Sequence, residues 1–187
     1  MGFIKTTNQK IKLPTSINLL RQSYNKTKTI EGVISLKSNV FPDDFGGWFK
    51  EAVRLDQGGR VISMLDTGII FKPVQTNTSF LTPKTKRFWH IHPNQNELWT
   101  TSGTLLIGLI DLRSSSKTYG VKMKVILSAD KLLYIPAGVA HGFINPNSSP
   151  VVLSYYTDQY FTADDTTQEY RISPKKISYE FVKPELM

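Results

Sequence analysis

The chain contains no cysteine. A disulfide framework is therefore excluded, and so is any metal centre built on thiolates. Histidine is nearly as scarce, with three copies in 187 residues. Long apolar runs are missing too. The longest, 105–110, is interrupted by Gly108 and has the length of a strand, too short to cross a bilayer as a helix. Residues 1–20 interleave polar with apolar side chains and lack the basic-then-apolar layout of an export signal. The expected compartment is the cytoplasm, with no membrane association. No large single-sign charge block is present either. The net charge of +8 raises the question of nucleic acid, but the basic residues are scattered, with small clusters only at 84–87 and at Lys175-Lys176. No nucleic-acid partner is expected. A basic rim suited to a phosphorylated small molecule is compatible with this charge.

What is present reads as one domain with a real core and an all-β organisation. Short apolar runs are broken at regular intervals by Gly, Pro, Asn and Asp, the habit of a barrel or sandwich. The pattern predicts strands over 47–55, 69–75, 88–92, 98–101, 104–111, 122–127, 131–135, 140–144 and 151–157. A further short strand or loop is expected over 60–65, and a Ser-rich hairpin connection over 111–120. Ile17, Leu20 and Tyr24 at helical spacing predict a short helix over 15–24. The organisation expected is an N-terminal arm and strand over 1–40 and a barrel over 41–163. Over 164–187, strands near Tyr170 and over 179–182 are expected to pack on that barrel.

All three histidines fall in one two-part pattern. The first part is His90-Ile91-His92-Pro93-Asn94-Gln95-Asn96-Glu97, followed by Gly103. The second is Pro136-Ala137-Gly138-Val139-Ala140-His141, with Asn145 four residues on. On a strand, positions i and i+2 share a face, so His90 and His92 are expected to point the same way. Three imidazoles and a carboxylate suit a divalent Zn, Fe, Ni, Mn or Co ion, with positions left open for water or substrate. No organic cofactor is implied. Pro136 and Gly138 read as turn geometry that aims His141, while Asp111 and Arg113 read as structural. The spacing resembles that of the cupins, whose fold is a double-stranded β-helix or jelly-roll barrel, here with a short N-terminal helix or arm.

Four further segments resemble one cupin family, the dTDP-4-dehydrorhamnose 3,5-epimerases. Asp44-Phe45-Gly46-Gly47-Trp48-Phe49-Lys50-Glu51 is similar to D-x-R-G-x-F-x-E, and Val74-Gln75-Thr76-Asn77-Thr78-Ser79 to V-Q-x-N-x-S. Arg87-Phe88-Trp89-His90 stands where the family has R-G-L-H. The stretches 111–120, 127–130 and 134–143 resemble D-x-R-x-S-P-T-F-G, L-S-A and W-I-P-x-G-x-A-H-G-F. The resemblance implies an isomerase that epimerises a nucleotide-linked 4-keto-6-deoxyhexose. Protons flanking the ketone are acidified; a base removes one, an acid returns one to the other face, and the enolate oxygen is held meanwhile. It implies His90 as base, contacts to nucleotide or sugar from Glu51, Gln75, Asn77 and Arg87, and His141 near the carbonyl. It also implies a homodimer.

The chain departs from the family pattern at informative places. Gly46 replaces the arginine of D-x-R-G. Ser154 stands where the family has its catalytic tyrosine, and alternation makes Tyr156 the expected acid from the same face. The aspartate that orients the family's histidine has no evident counterpart before Met187. His92 and Glu97 replace other residue types and complete the His90–His92–Glu97–His141 metal set. His90 then has two incompatible roles, because an imidazole lone pair given to a metal cannot take a proton. Two other classes remain open: a metal-dependent cupin such as a dioxygenase or sugar-phosphate isomerase, and a non-catalytic sugar-binding cupin.

Overall fold

The computed structural model describes residues 3–5, 10–12, 28–162 and 164–183. The helix expected over 15–24 lies outside the described residues. The strands are β1 (Phe3–Lys5), β2 (Lys10–Lys12), β3 (Ile34–Lys37), β4 (Val40–Asp43), β5 (Gly47–Lys50), β6 (Gln75–Leu81) and β7 (Lys86–Ile91). They continue with β8 (Glu97–Thr101), β9 (Leu105–Asp111), β10 (Lys122–Leu127), β11 (Lys131–Ile135), β12 (Val139–Ile144), β13 (Val151–Thr157) and β14 (Tyr170–Arg171). Two five-stranded antiparallel sheets, ordered β10-β9-β12-β7-β14 and β3-β11-β8-β13-β6, face one another. This is the all-β jelly-roll barrel of the cupins. The hairpins β1–β2 and β4–β5 stand apart as two-stranded sheets.

The core between the sheets draws Leu105, Ile107, Leu109 and Phe143 from one sheet and Trp99, Leu133, Ile135 and Leu153 from the other. Both sheets are also covered on their outer faces. Val61, Met64 and Phe71 pack under Leu98, Leu132 and Tyr134 on one side. On the other, Val182, with Tyr179 and Phe181, covers Trp89, Leu106 and Ile110. A strand dry on both faces reads as a continuous apolar run, not as an alternation. That explains Leu105–Asp111, in which every residue is buried.

Several expectations shift in the structure. The strand expected over 69–75 is a covering loop anchored by buried Phe71, and β6 begins where that strand was expected to end. The strand expected over 47–55 stops at Lys50. Ile62–Thr67 and Glu180–Val182 are short 3-10 turns. β3, a strand within the 1–40 arm-and-strand region, pairs with β11 and extends the barrel wall. The 111–120 connection is confirmed as a hairpin link, because β9 pairs with β10 across it.

That link is organised by the buried Asp111. One carboxylate oxygen accepts from the Arg113 backbone N–H (3.1 Å) and Nε (2.8 Å). The other accepts from Arg113 Nη2 (2.8 Å), Ser116 Oγ (2.6 Å) and Thr118 Oγ1 (2.6 Å). Burial pushes this carboxyl up, but the donors from Arg113, Ser116 and Thr118 outweigh it and hold it well below the usual carboxylate range. Arg113 in turn lies against Gly138, whose backbone is left-handed (φ 76°); a Cβ there would meet Arg113 Cγ at 2.6 Å. The turn that precedes His141 is thereby tied to the same network.

Two outcomes are expected. A Cβ on Gly108 would stand 2.5 Å from Val182 Cγ2 and 3.0 Å from Trp89 Cη2. Gly108→Ala should therefore cost roughly 1–3 kcal/mol in denaturant unfolding, by overpacking. Much of that cost should vanish in a Val182→Ala background, because the two sites share one space. The Asp111 carboxyl is depressed in the folded protein, so its stabilisation is present above its unfolded pKa of about 4 and is lost as pH falls through the folded value. Asp111→Asn should lower stability at neutral pH by about 3 kcal/mol. It should also flatten the acid limb of a plot of Tm against pH.

Candidate active site

The inner faces of the two sheets leave a cavity of about 240 Å³ among the histidines. Each sheet contributes by alternation. From the second sheet, Glu97 and Trp99 of β8 point inward while Leu98 points to the outer layer. Gln75, Asn77 and Ser79 of β6, and Leu153 and Tyr155 of β13, line the cavity in the same way. From the first sheet come Arg87 and His90 of β7 and His141 of β12, with His90 and His141 directly opposite in register.

Glu97 is buried to 3% exposure. Its Oε1 accepts from Gln95 Nε2 (2.8 Å) and its Oε2 from Trp99 Nε1 (2.7 Å). His92 Nε2 lies 3.4 Å from Oε1, and His141 Nε2 lies 3.5 Å from Oε2. The other ring nitrogens are tied to backbone: His92 Nδ1 donates to the Gln168 carbonyl (3.1 Å) and His141 Nδ1 to the Val139 carbonyl (3.2 Å). The His92 and His141 rings stack at 5.4 Å, and Trp99 meets His141 edge-on at 5.1 Å. Burial raises the Glu97 carboxyl, against the opposing pull of His92, Trp99 and Gln95. Burial also drives His141 down to about 3, helped by neighbouring His92.

His90, expected as a fourth ligand, stands apart from this cluster of three in the structure. Donor atoms of His92, Glu97 and His141 lie within 4.8 Å of one another. His90 Nδ1 instead lies 3.3 Å from Glu169 Oε1. The reason is that β7 ends at Ile91. His92 falls just beyond the strand; it lines the same cavity as His90 but meets Glu97 instead. Glu169 arrives because β14 pairs with β7, placing Arg171 opposite His90 in register. Arg171 Nε binds the same Glu169 oxygen at 3.0 Å. Burial lowers His90 to about 4, with Glu169 opposing and His141, Arg171 and Arg87 adding to the shift. Burial lifts Glu169, but Arg171 and the imidazoles outweigh it and keep the carboxyl below its ordinary range.

Gln75, Asn77, Arg87 and His141 line the cavity as expected. Gln75 Nε2 donates to Asn77 Oδ1 at 2.8 Å, and Arg87 sits 5.7 Å over the Phe143 ring. Two expected residues do not reach it. Glu51 is on the surface, bound by Arg54 Nε at 3.0 Å. Tyr156 packs in the outer layer with Leu98 and Phe71, since β13 turns its even positions outward. The inward tyrosine is Tyr155, opposite Asn77 on one side and Trp99 on the other. Counting the alternation from Leu153, which belongs to the core, would have found it. Glu169 and Arg171 carried no local signal, because only the pairing of β14 brings them in.

A model of the dTDP-4-dehydrorhamnose 3,5-epimerase family matches residues 27–185. The chain belongs to that family. It is 31% identical over 143 residues to the spore coat polysaccharide biosynthesis protein SpsL of Bacillus subtilis, spanning 75% of this chain and 87% of that protein. The fold is shared with the crystal structure of a dTDP sugar isomerase from Desulfovibrio desulfuricans, with a TM-score of 0.69 at 21% identity, covering 84% and 95% of the two chains. A dTDP-4-dehydrorhamnose 3,5-epimerase from Bacillus anthracis, solved with TDP and PPi bound, is 27% identical. Its TM-score is 0.62, with 79% of this chain and 83% of that chain covered. Family membership makes the protein an isomerase of nucleotide-linked sugars, and the structure sets a carboxylate, Glu169, beside His90 where the sequence offered no counterpart.

Proposed function

We propose that the protein epimerises a nucleotide-linked 4-keto-6-deoxyhexose by proton transfer beside the ketone. The observation that carries this reading is the His90–Glu169 pair on one sheet facing a cavity that Tyr155 enters from the other. A carboxylate at Nδ1 favours the tautomer with its proton there, which leaves Nε2 as the free base. A phenol on the opposite wall is placed to return a proton to the other face of the sugar. Arg87 and Arg171 supply guanidinium groups suited to a diphosphate. The Bacillus anthracis relative, which holds TDP and PPi, supports such a ligand. Among the described residues, no helix is long and apolar enough to cross a membrane.

Proton NMR in D2O with a dTDP-4-keto-6-deoxyhexose tests the proposal. Deuterium should enter at a carbon flanking the ketone. His90→Asn should slow this by about 10²- to 10⁴-fold. Tyr155→Phe should allow exchange but impair inversion, while Tyr156→Phe should behave as wild type. Absence of exchange with the wild-type protein would sink the reading.

We also infer a homodimer. The β4–β5 hairpin exposes Phe41 (51%), Phe45 (98%) and Phe49 (63%), more aromatic surface than a free edge carries comfortably. The same hairpin leads into Glu51, which lies outside the cavity of its own chain. Light scattering should give twice the chain mass, and Phe45→Asp with Phe49→Asp should give a monomer. A monomeric wild type would overturn the inference.

A further inference from the structure

We propose that His92, Glu97 and His141 form a three-ligand site for a divalent first-row transition metal, with His90 excluded from the ligand set. The argument begins with hydrogen bonding. A backbone carbonyl only accepts, so the contacts to the Gln168 and Val139 carbonyls place a proton on Nδ1 of both His92 and His141. As neutral imidazoles, both rings then turn an Nε2 lone pair toward the Glu97 carboxylate, at 3.4 Å and 3.5 Å. Acceptors thus converge on one another in a buried place, which is unfavourable unless a positive centre lies among them.

The spacing matches the same conclusion. Nitrogen and oxygen donors bound at about 2.0–2.2 Å in a tetrahedral array stand about 3.3–3.6 Å apart. The carboxylate-to-imidazole distances, one to each Glu97 oxygen, fall in that range, and one donor atom from each of the three residues lies within 4.8 Å of the others. The supporting contacts are also those a metal site uses. Each imidazole is fixed by a carbonyl on its far nitrogen, and the carboxylate is held by Gln95 and Trp99. A donor set of two imidazoles and one carboxylate suits Zn, Fe, Co, Ni or Mn. The site borders the cavity, so remaining coordination positions face the space assigned to substrate.

This separates the two roles that the sequence left in conflict on His90. The base keeps its carboxylate partner, and the metal is held one ring away, with the His90 and His141 centroids 6.2 Å apart. On the epimerase reading, a bound metal supplies Lewis-acid polarisation of a ketone oxygen.

The test is Co²⁺ titration of untagged, chelator-treated full-length protein, read by visible absorption and by calorimetry. One equivalent should bind with ligand-field bands, and Tm should rise with the logarithm of free metal concentration above Kd. His92→Ala, Glu97→Gln and His141→Ala should each weaken binding by 100-fold or more. His90→Asn should leave Kd within about threefold. The far-ultraviolet spectrum of each variant without metal establishes that it is folded. Two results would overturn the proposal: no stoichiometric Co²⁺ binding, as expected if a shared proton holds the cluster together, or equal loss of binding in His90→Asn. Deuterium exchange without added metal, together with absent Co²⁺ binding, would sink the metal site and leave the epimerase reading standing. Metal bound without exchange would do the reverse.

Discussion

Glu97 is a carboxylate that the barrel removes from water, and the groups around it are arranged to make that tolerable. Desolvating an ion of this kind costs several kcal/mol even after relaxation. Gln95 and Trp99 offset that cost by donating one hydrogen bond to each oxygen, and the His92 and His141 rings close off the remaining approach. These contacts hold Trp99 at the boundary between the apolar core and the wet cavity. They also fix the His141 ring, which Trp99 meets edge-on. One end of the barrel interior is therefore polar and ordered, while the rest is packed hydrocarbon.

The sheets can present such a site because they do not rely on one interface alone for stability. Each is covered on its outer face, by the 53–73 region on one side and by the C-terminal segment on the other. The C-terminal segment serves two purposes. Its Ile177 carbonyl accepts from buried Trp89 Nε1 at 2.8 Å, and Val182 packs over Gly108. The same stretch lays β14 beside β7 and delivers Glu169 to His90. Positioning of the base and closure of the outer layer are thus coupled through one piece of chain.

Legibility in the sequence followed local periodicity. Lys122–Leu127, Lys131–Ile135 and Val151–Thr157 were readable to the residue, because apolar runs of strand length end at clear breakers. β6 was displaced for a chemical reason. Its inward residues Gln75, Asn77 and Ser79 face the cavity, so the strand has no apolar alternation to detect. Phe71 and its neighbours looked like a strand because they are apolar, yet they form the loop that covers one. Tyr156 shares a face with the motif position Ser154, but packing of Leu153 in the core sets the phase of β13 and turns Tyr155 inward.

The sequence by itself determined the residue types and the all-β barrel. The spacing of its histidines and Glu97 and the string of flanking segments are local properties that survive in one dimension. Which nitrogen meets which oxygen was decided only by the tertiary structure. The end of β7 between His90 and His92 sends the two rings to different partners, and β14, distant in sequence, completes one of them. Partner choice depends on strand register and on where a strand stops, and both are set by packing across the barrel.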